Sequence, residues 1–112
     1  MFEDASQFIA QLYSIGIIIE SFTIKNKTMI IKISLPEQSY MYDKFSPEQI
    51  ATSFKDILDK IFTISGFKIS LFKRIRKENF TLENAMQAEQ LTLMDLYDSN
   101  FISVLNQFRR KL

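Results

Sequence analysis

The stretch IIESFTIKNKTMIIKISL, from Ile18 to Leu35, decides the fold. Ile18, Glu20, Phe22 and Ile24 alternate with Ile19, Ser21 and Thr23, the period of two that a half-buried strand imposes. Met29, Ile31, Ile33 and Leu35 alternate in the same way with Ile30, Lys32 and Ser34. Between the runs lies Lys25-Asn26-Lys27, polar and centred on a residue that tolerates left-handed turn geometry. So short a connection predicts an antiparallel hairpin, and Pro36 is expected to end its second strand.

Working outward, Phe2, Ala5, Phe8, Ile9 and Leu12 fall at spacings of three and four. They predict a short helix over residues 2–14, with Asp4 suited to the positive end of its dipole. Downstream, residues 36–45 form the longest irregular stretch, whose Tyr40, Met41, Tyr42 and Phe45 are expected to pack back onto the domain. Ser46-Pro47-Glu48-Gln49 then reads as a capping box: serine accepts from the open amides, proline suits the first helical position, and Gln49 reaches back. The helix that follows lays Ile50, Phe54, Ile57, Leu58, Ile61 and Phe62 along one face, and Gly66 is placed to stop it. Phe67 to Lys73 alternates again and predicts a third strand. Thr81 begins a further helix through Tyr97, Asp98-Ser99-Asn100 interrupts it, and a last short helix carries Phe101, Val104, Leu105 and Phe108. The order α-β-β-α-β-α-α predicts an α+β fold, a small three-stranded sheet packed by helices, as one domain over residues 1–112.

Composition narrows the chemistry. With 112 residues, no histidine and no cysteine, the chain has no thiol nucleophile, no disulfide framework, no imidazole base and no Cys/His zinc site. Its two glycines, Gly16 and Gly66, are too far apart for a phosphate-cradling loop. No catalytic residue, metal or cofactor is therefore expected. A net charge of +1 does not by itself mark a nucleic-acid binder. Met1-Phe2-Glu3-Asp4 is acidic where a signal peptide is basic, and no apolar run approaches a membrane span, so a cytoplasmic protein without membrane contact is the expectation.

Charge is nonetheless patterned. Lys68, Lys73, Arg74, Arg76 and Lys77 form a run without an acid, which reads either as a phosphate or acidic-partner contact where strand three ends, or as a solvated loop blunting a sheet edge. Glu83, Glu89, Asp95 and Asp98 fall on polar helix positions. Asp56 and Asp59 are better placed to pair with Lys55 and Lys60 than to act as a catalytic dyad. Phe67, Ile69 and Leu71 share a core face, whereas Phe72 lies opposite with Lys68 and Ser70, making it the one candidate for stacking an unpaired base. Leu82, Ala85, Met86, Leu93, Leu96 and Tyr97 make an apolar stripe, with Ala88, Leu91 and Met94 spreading off it. A helix apolar over more than one face is either deeply buried or offered to another chain.

The C-terminal third carries a resemblance. Thr81-Leu82-Glu83 opens a helix followed by Ala85, Gln87, Ala88, Glu89 and Leu91; then come Asp98-Ser99-Asn100-Phe101, Val104 and Phe108. This resembles the end of the tau subunit of bacterial DNA polymerase III, and the upstream order of helix, hairpin, helix and strand is similar to that subunit's last domain, of pseudo-KH arrangement. The resemblance spans roughly residues 5–108. It implies a non-catalytic interaction domain, the last of a longer subunit, that tethers the polymerase catalytic alpha subunit to the clamp loader during DNA replication. No small-molecule substrate is implied. The partner-binding residues would be Phe101, Leu105, Phe108, Arg109 and Arg110, with Lys73, Arg74, Arg76 and Lys77 as a secondary basic patch. The competing reading is a KH-like module for single-stranded nucleic acid, using Phe72 and the bases 73–77; it lacks the Gly-x-x-Gly turn such domains use.

Overall fold

The computed structural model describes residues 11–63 and 66–95. Strands β1 (Ile18–Lys25) and β2 (Thr28–Ser39) form the predicted antiparallel hairpin, and β3 (Lys68–Phe80) lies along the other side of β2, parallel to it. Helix α1 (Pro47–Phe62) makes the β2–β3 crossover, and α2 (Leu82–Asp95) follows β3. This is the α+β class expected, in the expected order over the described residues; the final helix of the sequence reading lies outside them, as do residues 2–10 of the expected first helix, of which 11–14 are helical.

The hairpin turns on Asn26 and Lys27, both at positive φ (50° and 60°), with Lys25 paired to Thr28. Two left-handed residues in succession match the right-handed twist of the flanking strands. Ser46 caps α1 as anticipated: its Oγ accepts from the Gln49 amide at 3.2 Å, and its own amide donates to Gln49 Oε1 at 2.9 Å. The core lies between α1 and one face of the sheet, where Met29, Ile31, Ile33 and Leu35 meet Ile50, Phe54, Leu58 and Phe62, all of them buried. Leu12 and Ile17, flanking the helical turn ahead of β1, complete that cluster.

Two boundaries, one alternation and one packing expectation differ from the sequence reading. Pro36 does not end β2; it is buried in the strand, opposite Arg76. A central-strand proline is tolerated here because β1 pairs no further than Ser34 and the ladder to β3 shifts between Pro36 and Gln38. Strand β3 runs to Phe80 rather than Lys73, so the basic residues 73–77 are strand, not loop. As an edge strand it pairs on one side only, and charge on an edge is the usual guard against further pairing. Within β1 the strict alternation breaks at Glu20: the register shifts between Ile19 and Ser21, so Ile19 faces the core with Phe22, and Glu20 is freed from that face. Finally, Tyr40 packs back, its ring stacked on Phe80 and its hydroxyl donating to the Ser14 carbonyl at 2.8 Å, but Phe45 stays exposed.

Candidate functional site

With α1 on one face, the opposite face of the sheet is open among the described residues, and the bases of β3 divide between the two. Side chains alternate along a strand, so Lys73 leans to the helix side while Arg74 and Arg76 lie on the open side. Each has an acid. Lys73 Nζ is 2.8 Å from Glu48 Oε2 in the first turn of α1. Arg74 forks onto Glu20, its Nε 3.2 Å from Oε2 and its Nη2 against Oε1. Arg76 is the most enclosed: Nε and Nη2 reach Glu78 Oε2 at 2.9 and 2.8 Å, Nη1 donates to Ser34 Oγ at 2.7 Å, and Nη2 also donates to the Gly16 carbonyl at 2.8 Å. Lys77 is exposed, with no ion pair among the described residues.

These contacts explain why Ser34, a polar residue in the central strand, is fully buried. Its hydroxyl accepts from Arg76 Nη1 at 2.7 Å, so the group is satisfied rather than stranded. Arg76 thereby clasps β3 to β2 and to the turn ahead of β1. Three of the four bases in the proposed secondary patch are thus engaged within the domain. The Glu20 carboxyl is held below the ordinary value of 4.5, first by the hydrogen bond from Arg74 and then by that of Ser34. A lowered carboxylate contributes stability above its unfolded-state value and loses it as pH falls through the lowered one. Thermal unfolding followed from neutral pH downward should therefore show a Tm loss beginning near 4.5 that is shallower in Glu20→Gln. An unchanged acid limb in that variant would dissociate the pair from stability.

Toward the hairpin end the open face carries different groups. The register sets Ser21, Lys32 and Phe72 in one row, Thr23, Ile30 and Ser70 in the next, and Lys25, Thr28 and Lys68 in the last. Phe72 is 55% exposed.

Two apolar features lie elsewhere. A groove of about 390 Å³ opens between residues 11–15 and α1; Leu12, Ile15, Met41, Phe45, Phe54 and Ile57 wall it, and among the described residues no charged side chain lines it. On α2, Thr81 caps the start, its Oγ1 accepting from the Asn84 amide at 3.2 Å. Ala85 is buried there, but Leu82 and Met86, one turn apart, are 60% and 64% exposed, so the stripe read from the sequence splits at its first turn. Phe101, Leu105, Phe108, Arg109 and Arg110 lie outside the described residues.

Among the described residues no three carboxylates gather as a metal site would require, and no helix is long and apolar enough to cross a membrane. Lys55 Nζ pairs with Asp59 at 3.0 Å across one turn of α1, the bland role anticipated for that acid. Sequence reasoning missed Glu20, Glu48 and Ser34 as partners of the bases. Glu20 and Arg74 are 54 positions apart, and nothing within either segment announces the other. The chain matches no protein-family model, no curated protein and no solved structure.

Proposed function

We propose that this chain is a non-catalytic protein–protein interaction domain that works in the cytoplasm, and that α2 with the residues following it is the surface it offers. The observation that carries this reading is the exposure of Leu82 and Met86. Two large apolar side chains on one helix face stay in water, at the entry to the segment richest in unassigned apolar residues. Such a patch is a frequent mark of a partner site, and buried apolar anchors carry most interface energy. The engagement of Lys73, Arg74 and Arg76 within the domain leaves those bases a rim role, which tunes association rate more than affinity. The resemblance of residues 81–108 to the end of the tau subunit supplies the partner: the catalytic alpha subunit of the replicative polymerase, held to the clamp loader.

The test is direct binding of the full chain to a purified polymerase alpha subunit by surface plasmon resonance. Leu82→Asp/Met86→Asp should weaken binding at least about tenfold, or about 1.4 kcal/mol, and a Phe101→Ala/Phe108→Ala variant should weaken it further. Because Leu82 and Met86 are exposed, the first variant should keep its Tm within a few degrees. Absence of any binding by the parent chain would remove the polymerase as partner, and unaltered binding by Leu82→Asp/Met86→Asp would remove α2 as the surface.

A further inference from the structure

We propose that the hairpin end of the open sheet face binds single-stranded nucleic acid, with Phe72 stacking a base and Lys25, Lys32 and Lys68 meeting phosphates. The four residues come from all three strands and share one face by register. Same-face residues repeat about every 6.8 Å along a strand and neighbouring strands lie about 4.8 Å apart. Lys32 is therefore the immediate neighbour of Phe72, while Lys68 and Lys25 flank a row about 13 Å away. Between them lie half-buried Ile30 and the hydroxyls of Thr23, Ser70 and Thr28, a flat floor suited to two or three nucleotides.

Charge points to an anionic occupant. Residues 21–36 and 66–77 contain no acid. Of the acids on the sheet or against it, Glu20, Glu48 and Glu78 pair with Arg74, Lys73 and Arg76 at the opposite end, where Glu37 also lies, next to Pro36 in β2. Lys25, Lys32 and Lys68 are exposed, and none has an ion pair among the described residues. The aromatic ring selects among anions: an exposed phenylalanine beside a lysine suits a base attached to a phosphate, since every base has a π-face and its backbone a charge. A duplex hides those faces. This site differs from the helix-bounded cleft of a KH domain and from the 73–77 run, and it shares no residue with the α2 surface, so either can fail without the other.

The experiment is fluorescence anisotropy of a labelled oligothymidylate of about twelve nucleotides titrated with the full chain over a salt series. Saturable binding is expected, with log K falling against log salt at a slope of about −2, from three phosphates at about 0.7 each. Phe72→Ala should weaken binding between about fivefold and a hundredfold without changing the slope. Phe72→Tyr should restore it, which separates stacking from any folding defect. Lys32→Gln/Lys68→Gln should flatten the slope by about 1.4, whereas Lys60→Gln on α1 should change nothing. No binding at low salt, indifference to Phe72→Ala in the folded variant, or equal affinity for the matching duplex would overturn the proposal. So would tighter capture by polyglutamate or by phosphatidylglycerol vesicles, which would assign the patch to an acidic protein or to a membrane.

Discussion

Phe54→Ala should lower the unfolding free energy by about 3–5 kcal/mol. Phe54 is 1% exposed and belongs to the buried cluster in which α1 meets Met29, Ile31, Ile33 and Leu35. Truncation there removes a ring from the middle of the helix–sheet contact. The facing residues come from a central strand paired on both sides, so they have little freedom to collapse into the space. A domain of this size has about 6–17 kcal/mol in total at ordinary per-residue stability, so the variant loses a large fraction of it. Phe54→Leu should lose roughly 1–1.5 kcal/mol, as a swap that keeps much of the volume. With no tryptophan in the chain, urea unfolding followed by far-ultraviolet circular dichroism is the measurement. A loss under about 1 kcal/mol for the alanine variant would mean that α1 does not seat on this sheet face as described. The same ring walls the groove at residues 11–15.

What the sequence disclosed follows from the range of the forces involved. The hairpin and the α1 cap are written in windows of four to ten residues. Alternation, the Asn26 turn and the Ser46–Gln49 box are each a local agreement of side chain and backbone, and each was legible. The direction of β3 was not, because alternation fixes faces and says nothing about polarity. Its length was misjudged for a related reason. Lys73 to Lys77 look like loop when counted alone, since a base in a strand is tolerated only where an edge, water or an acid answers it. Here all three occur, and the acids arrive from Glu20, Glu48 and Glu78, up to 54 positions away. The shift at Glu20 makes the point most sharply. Unbroken alternation would have set this carboxylate beside Phe22 and Ile24; the bulge instead delivers it to Arg74. The candidate sites divide along the same line. Phe72 was readable as the off-face aromatic because its neighbours in sequence define the face. The exposure of Leu82 and Met86 depends on what does not pack against them, which no local pattern contains.

Gly16→Ala should destabilise the domain by about 2–4 kcal/mol, and Gly66→Ala by only about 1 kcal/mol. The two glycines do the same local job. At each, the helix before it closes with paired bonds: Ile17 N–H to Leu12 O at 3.0 Å and Gly16 N–H to Tyr13 O at 3.1 Å, then Phe67 N–H to Phe62 O at 3.2 Å and Gly66 N–H to Thr63 O at 2.9 Å. Both are Schellman endings with glycine at positive φ, 94° and 79°. In each an apolar contact accompanies the bonds: Leu12 and Ile17 share the core cluster, and Phe62 meets Phe67 edge-on. Alanine therefore carries the same left-handed penalty at both sites, roughly 1 kcal/mol. The surroundings differ. A Cβ on Gly66 meets nothing within 4 Å, whereas one on Gly16 would lie 2.9 Å from Pro36 Cγ and 3.2 Å from Phe80 Cδ1. Neither neighbour can retreat easily: Pro36 is a ring fixed in the central strand and Phe80 is buried beneath the Tyr40 ring. The Gly16 carbonyl also receives Arg76, so a displaced turn would loosen the clasp that holds β3 to β2. Comparing the two variants by urea unfolding subtracts the shared backbone penalty and leaves the crowding alone. Equal losses at the two sites would show that the turn ahead of β1 does not press against Pro36, and the account of how Arg76 closes that end of the sheet would fall with it.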